Sequence, residues 1–195
     1  MGTVIVVDDG SSDPTSDLAY AAGAVVVRHP QKMGYDHAIK TGIEFAREKK
    51  IDVVITFDAD GQHDSEVVRK IIDIFELQKC DVVIGTRDKP ARLAEYLFNK
   101  YVRYRFGIDD ILCGLKGYRL SEFSKYRLEN IAGSIGTKMA LDGLRSGLKV
   151  CTVPVQIAGR QGKPRMGSSL RANYKIGKAL LRTFVDDLTL REKRA

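Results

Sequence analysis

Cysteine is scarce in this chain of 195 residues: Cys80, Cys113 and Cys151 are odd in number and lack any C-x-x-C spacing. Neither a disulfide framework nor a thiolate zinc site is indicated, and a reducing, cytoplasmic setting is expected. Long apolar runs are absent too. None approaches the roughly 20 residues that span a bilayer, and the chain enters a strand-like segment at once, leaving no room for a signal peptide. Any membrane contact is therefore expected from the surface. Internal repeats, low-complexity tracts and linkers are missing, and one domain is the expectation at this length. Acids are not scarce: 25 Asp+Glu stand against 32 Lys+Arg, a net charge of +7. The excess favours anionic partners such as phosphates or acidic headgroups. The chain carries no helix-turn-helix, zinc finger or aromatic RNP pattern, so nucleic acid is not an expected partner.

What is present is an alternation of short Val/Ile-rich runs with segments of helical period. Thr3–Val7, Ala24–Val27, Ile51–Phe57 and Asp81–Ile84 read as strands of β-α-β units on a mostly parallel sheet flanked by helices. Ala38, Ile39, Gly42, Ile43 and Ala46 form one helical face, and Val67, Val68, Ile71, Ile72 and Phe75 another, with Asp64 or Ser65 as its cap. Beyond Gly85 the spacing predicts a basic, aromatic helix at about Ala91–Phe106 and a glycine-punctuated stretch to Leu120. A helix at about Gly136–Ser146, a strand at Lys149–Gln156 and a final helix near Leu170–Leu190 follow, the last after a basic, glycine-rich loop at Ala158–Ser169.

Two strand ends deliver acids to the carboxyl edge of the sheet, where ligands sit in open α/β folds. The first is Val7-Asp8-Asp9-Gly10-Ser11-Ser12-Asp13; Asp13 reads as the cap ahead of Pro14 and Thr15, and Asp8 with Asp9 exceeds what one cap requires. The second is Ile55 to Asp64, in which Asp58, Asp60 and Gln62 share a side of an extended chain. These hard oxygen donors suit Mg2+ or Mn2+, ions that keep positions open for substrate phosphates. His63 reads as a plain polar turn residue. Arg160, Lys163 and Arg165, with Gly162 and Gly167 between and beyond them, suit a loop that folds over phosphate oxygens and releases them.

In order, VDDGSSDPT, Gly34 in GYDHAIKTG, DADGQHD, VVIGTR, Asp110 ahead of CGLKGYR, and VPVQ followed by Arg160 resemble glycosyltransferase family 2. Within it the likeness is to dolichyl- or polyprenyl-phosphate mannosyl- and glucosyltransferases, and it covers almost the whole chain. The resemblance implies a GT-A fold, a GDP- or UDP-sugar donor, Mg2+ or Mn2+, and inverting transfer. It divides the one domain into a nucleotide-sugar half at 1–90, an acceptor half at 91–169 and a C-terminal helix at 170–195. By position, Asp8, Asp9, Gly34, Asp58, Ala59 and Asp60 would bind the nucleotide sugar, with Asp58, Asp60 and Gln62 on the metal. Arg87 and Arg92, with Arg160, Lys163, Arg165 and Ser168 of the loop, would face the acceptor phosphate. Asp60, Arg87 and Asp110 would be catalytic. Asp110, Cys113 and Gly114 match the family's acceptor-side turn; Cys113 reads as a packed residue rather than a nucleophile, with no His or Lys taken to lie nearby in sequence.

Three departures accompany the likeness. The family's usual first strand has no counterpart here, so the edge at Thr3–Val7 is expected to invite pairing between two copies. Lys32 stands where an Asn is usual before Gly34. Lys138, in GTKMALDGL, stands where relatives carry a carboxylate, which favours an already ionised phosphate acceptor or else loss of activity. Leu93, Leu97, Tyr101 and Tyr104, flanked by Arg92, Lys100, Arg103 and Arg105, suit contact with acidic lipid, whereas Leu180, Leu181, Phe184 and Leu188 of the final helix read rather as core. Rival readings are sugar-phosphate nucleotidyltransfer, for which DDGSSDPT is the wrong loop, a saccharide or other hydroxyl acceptor, and a non-catalytic remnant that binds a sugar nucleotide.

Overall fold

The computed structural model describes residues 2–61, 64–88, 92–126, 128, 134–156 and 169–192. The elements run β1 (Ile5–Asp8), α1 (Thr15–Ala21), β2 (Val25–Arg28), α2 (Tyr35–Glu48), β3 (Val53–Thr56), α3 (Glu66–Gln78) and β4 (Val82–Arg87). They continue with α4 (Leu93–Phe106), β5 (Lys116–Arg119), a 3-10 turn (Leu120–Phe123), α5 (Ile135–Arg145), β6 (Val150–Val155) and α6 (Ser169–Glu192). β1 and β2 form a parallel pair, and a separate four-stranded sheet has the order β3-β5-β4-β6. β4 and β6 are parallel, and β5 runs antiparallel to both β3 and β4. The α/β class is as the sequence predicts, with one antiparallel strand inserted among the others.

Alternation along the strands sends apolar residues to both faces of the larger sheet. Val82, Ile84 and Tyr118 face Ile43 and Ala46 of α2, Phe98 and Val102 of α4, and Met139 and Ala140 of α5. Val83, Leu115, Val153 and Val155 face Val67, Ile71 and Phe75 of α3. Each such side chain contributes about 1.5–3 kcal/mol on burial, which makes this two-sided core the main stabilising term. The strand β5 is missed by sequence patterning because its residues are Lys116, Gly117, Tyr118 and Arg119. Gly117 is there for space: a Cβ would lie 2.5 Å from Cε2 of Phe75, whose ring packs flush on the strand.

The cysteine expectation is corrected. Cys80 and Cys151 form a disulfide, with their Cα atoms 6.1 Å apart and 71 positions between them in sequence. Cys151 pairs with Val83 in the β4–β6 ladder, so the approach to β4 lies beside β6 and brings the two sulfurs together. The argument from cysteine to a reducing compartment therefore fails. Closing a loop of this length stabilises by about 4 kcal/mol in the chain-entropy model. Reduction, or the double substitution Cys80→Ala with Cys151→Ala, is expected to lower Tm by about 8–15 °C in a scanning fluorimetry melt.

The final helix departs from expectation in part, for Leu180 packs against the core as expected. Ala172, Ile176, Thr183 and Asp187 turn inward, but Leu181, Phe184 and Leu188 are exposed at 63%, 45% and 44%. Beside them on α4, Leu93, Leu97 and Tyr104 are exposed, while Tyr101 packs edge-on to Phe184 and bonds Asp187 through its hydroxyl at 2.6 Å. Among the described residues no helix is long and apolar enough to cross a membrane.

Candidate active site

The turn after β1 is built around two carboxylates. Asp8 is buried; its Oδ1 accepts the Ser11 N–H at 2.8 Å, and its other oxygen accepts the Ser16 hydroxyl. Hydrogen bonds from Ser11 and Ser16 hold its pKa down to about 2. Asp9 accepts Met33 N–H and the His29 ring on Oδ1 and Gly34 N–H on Oδ2, each at 2.8 Å. Burial alone would raise the Asp9 pKa, but these three donors lower it. Gly10 has φ +70° and backs onto the chain so closely that a Cβ would lie 2.7 Å from the Gln31 carbonyl carbon. Asp8 thus does structural work inside the turn, while Asp9 ties β1 to the approach of α2. Asp13 accepts from Thr15, as a local turn residue should.

At the end of β3 the burial pattern alternates: Thr56 is buried, Phe57 and Ala59 are exposed, and Asp58 and Asp60 are half-buried. Asp60 lies two residues beyond Asp58, in the bend that follows the strand. The Asp58 carboxylate lies against the turn before β5, since a Cβ at Gly114 would be 2.8 Å from Asp58 Oδ2 and 3.6 Å from the Tyr35 hydroxyl. The Thr56 hydroxyl clamps the same turn by donating to Gly114 O at 2.9 Å. Gln62 and His63 lie outside the described residues. Two carboxylates make a hard oxygen donor set that fits Mg2+ or Mn2+ when phosphates complete the shell; among the described residues no group of three or more His, Cys, Asp or Glu gathers about a metal-sized space. Replacing Gly114 with Ala is expected to push Asp58 aside and cost about 100-fold in turnover, with Tm nearly unchanged, as paired kinetic and melting measurements would show.

On the other flank of that turn Arg87 ends β4. Its Nε and Nη2 donate to the two oxygens of Asp110 at 2.6 and 3.0 Å, and Nη2 also reaches Glu95 at 3.2 Å. Glu95 in turn accepts Arg92 at 2.8 Å, and Asn99 donates to Asp110 at 3.1 Å. Burial would raise the Asp110 pKa, yet the Arg87 guanidinium brings it below the ordinary value. Arg87 and Asp110 are thus brought together as a fork-on-carboxylate pair. Arg160, Lys163, Arg165 and Ser168 lie outside the described residues.

Sequence reading missed Glu95, Asn99 and Lys116. The first two are ordinary letters on a helix, and only the register of α4 against β4 reveals that they turn inward; both are buried. Lys116, 2% exposed, sends Nζ to Cys113 O. The claim that no lysine lies near Cys113 is corrected, since Lys116 is three residues on. Burial nevertheless raises the Cys113 thiol pKa, which keeps it a packed residue. Lys138 is held by Asp142, which also accepts Tyr126 at 2.6 Å and Arg145 at 3.1 Å.

The two α/β sheets carry acids at the ends of β1 and β3, and the carboxyl edge of such strands is where open α/β enzymes bind ligands. The profile of glycosyl transferase family 2 matches residues 3–129, and the chain belongs to that family and is a glycosyltransferase acting on nucleotide sugars. It is 26% identical to the undecaprenyl-phosphate mannosyltransferase of Micrococcus luteus, over 91% of this chain and 79% of that one. It is 28% identical to the polyprenol monophosphomannose synthase of Mycolicibacterium smegmatis, over 94% of this chain and 78% of the relative. Among solved structures, glucosyl-3-phosphoglycerate synthase from Mycobacterium tuberculosis, held with Mn2+, uridine diphosphate and glucosyl-3-phosphoglycerate, superposes with a TM-score of 0.68. That match covers 95% of this chain and 68% of the other at 17% identity, and it shows a shared GT-A fold.

Proposed function

We propose that this glycosyltransferase moves a hexose from a GDP- or UDP-sugar to a polyprenyl or dolichyl phosphate, with inversion, using Mg2+ or Mn2+ held by Asp58, Asp60 and Gln62. The observation that carries the reading is the contact of Asp58 with Gly114. Asp58, one of the proposed metal acids, lies against the turn whose other end, Asp110, is gripped by Arg87, which supports donor and acceptor groups lying close together. The lipid-phosphate relatives support the acceptor class, and the Mn2+ and uridine diphosphate in the structural neighbour support the donor side.

When bound, the metal neutralises charge on the departing diphosphate. An acceptor phosphate oxygen forms the bond to the anomeric carbon as the bond to the diphosphate breaks, in one in-line step without a covalent enzyme intermediate. The chain's own contribution would be placement: Asp9 and Gly34 would shape the nucleotide side, Arg87 and Arg92, fixed by Glu95 and Asp110, would serve the acceptor phosphate, and Arg160, Lys163, Arg165 and Ser168 are the further residues proposed for phosphate binding. No general base is required, because a phosphate monoester with a second pKa near ~6 is largely ionised at neutral pH. This suits α5, where bonds to Lys138, Tyr126 and Arg145 outweigh burial and lower the Asp142 pKa, leaving it a poor proton acceptor.

The exposed apolar residues of α4 and α6, edged by Lys100, Arg103, Lys178 and Arg182, are suited to an acidic bilayer surface, which would place the protein peripherally on a membrane. Among the described residues β1 pairs only with β2, and its other edge would offer pairing to a second copy, which sedimentation would register as a dimer. The function itself is tested by incubating the protein with labelled GDP-mannose or UDP-glucose, polyprenyl phosphate and Mn2+. Label in the organic phase, lost on chelation with EDTA, is expected; transfer only to water or to soluble hydroxyl acceptors would overturn the lipid-phosphate reading.

A further inference from the structure

Lys116 is the most deeply buried cation among the described residues, yet the mechanism above gives it no task. It lies in the middle of the sheet, paired with Thr56 of β3 on one side and Ile84 of β4 on the other. Its stem shares a face with Tyr118, two residues on, and passes the start of α5, where a Cβ at Gly136 would lie 3.9 Å from Lys116 Cδ. The ammonium ends on Cys113 O. Burial pulls its pKa down to about 8, with Cys113, Asp110 and Asp58 opposing that fall and Arg87 reinforcing it.

A sealed ammonium is costly, and satisfying one carbonyl does not require a charge: a neutral donor would serve. The position explains the choice. The groups that act on Lys116 electrostatically include Asp58 on the donor flank and Asp110 on the acceptor flank, and the atom it bonds belongs to the turn between them. Gly114, the next residue, touches Asp58. We infer that Lys116 is a positioning residue of the donor site, its buried ammonium holding the Cys113–Gly114 backbone against the Asp58 carboxylate. The inference rests on the proposed role of Asp58. Lys116 itself touches neither sugar nor diphosphate; it fixes the wall against which Asp58 is set, and it balances the negative charge of the two aspartates.

The test compares Lys116→Met and Lys116→Arg with a core control on the far face of the sheet, Ile71→Val or Ile71→Ala, chosen to match the loss of Tm in Lys116→Met. Two readouts are taken. In metal-free protein, amide hydrogen exchange at residues 112–115 is expected to quicken at least about tenfold in Lys116→Met and to stay slow in the control. In the lipid-phosphate transfer assay, Lys116→Met is expected to lose about 100-fold in kcat with donor KM within about threefold, and Lys116→Arg to recover most of that loss. Unchanged exchange at 112–115, or a kcat that falls no further than in the Ile71 control, overturns the inference. A wild type without transfer activity would sink the proposed function instead, and the exchange measurement would still decide the role of Lys116.

Discussion

Asp60→Asn is expected to lose about 1,000-fold or more in sugar transfer while the protein melts within about 2 °C of wild type. Asparagine keeps the size of the side chain and removes its charge, so the expected effect falls on that charge rather than on packing. What changes is the donor set: a pair of carboxylates becomes a single one, and the affinity for a hard divalent ion falls with it. A second measurement separates binding from chemistry. Adding GDP or UDP with Mn2+ should raise the melting temperature of the wild type through linkage and leave that of Asp60→Asn where it was. Undiminished turnover in this variant would remove the metal role from Asp58 and Asp60 together.

Arg87→Met is expected to damage both stability and activity. The guanidinium is 16% exposed as a side chain, and its partners Asp110 and Glu95 are 3% and 6% exposed, so removing it leaves Asp110 in the interior without its ion-pair partner, while Glu95 keeps Arg92. Breaking a buried pair from one side costs about 3–5 kcal/mol, or roughly 10 °C in Tm for a chain of this size. The pH dependence carries a sign. In the wild type the folded-state pKa of Asp110 lies below 3.8, so its contribution is present above that value and is lost as pH falls through the lower, folded-state value. Without Arg87, burial is left to raise the Asp110 pKa, and protonation then favours the folded variant. The difference in Tm between wild type and Arg87→Met should accordingly be full near pH 7 and narrow as pH drops through about 4. A gap that does not change with pH would mean that Arg87 acts by packing alone.

Much of this organisation is legible in the sequence, and the illegible parts share a cause. Val/Ile runs followed by helical periods give β1 to β4 and their helices, and acids placed straight after a buried strand mark Asp8, Asp9, Asp58 and Asp60, because periodicity and strand ends are local properties. β5 escapes since its residues answer to packing rather than to pattern: Gly117 makes room for the distant Phe75 ring, and Lys116 is buried to satisfy the turn just before it. The same holds for Glu95 and Asn99, whose inward orientation depends on where Arg87 and Asp110 lie, and for Cys80 and Cys151, joined across two strands remote in sequence. The final helix is a different case. It is apolar on more than one side, so periodicity names the residues but not which of them the core takes.

Among the described residues the two strand ladders have no strand-to-strand hydrogen bonds between them, and both pack on α2. Val7 of β1 meets Gly42, and Ile5, Ile39, Ile43 and Val54 belong to one apolar cluster. The gap separating Asp9 from Asp58 is thus gauged by oily contacts along a single helix rather than by a rigid mesh of amides. Trimming Ile43 would change the spacing of Asp9 and Asp58, the proposed nucleoside and metal residues, without substituting either.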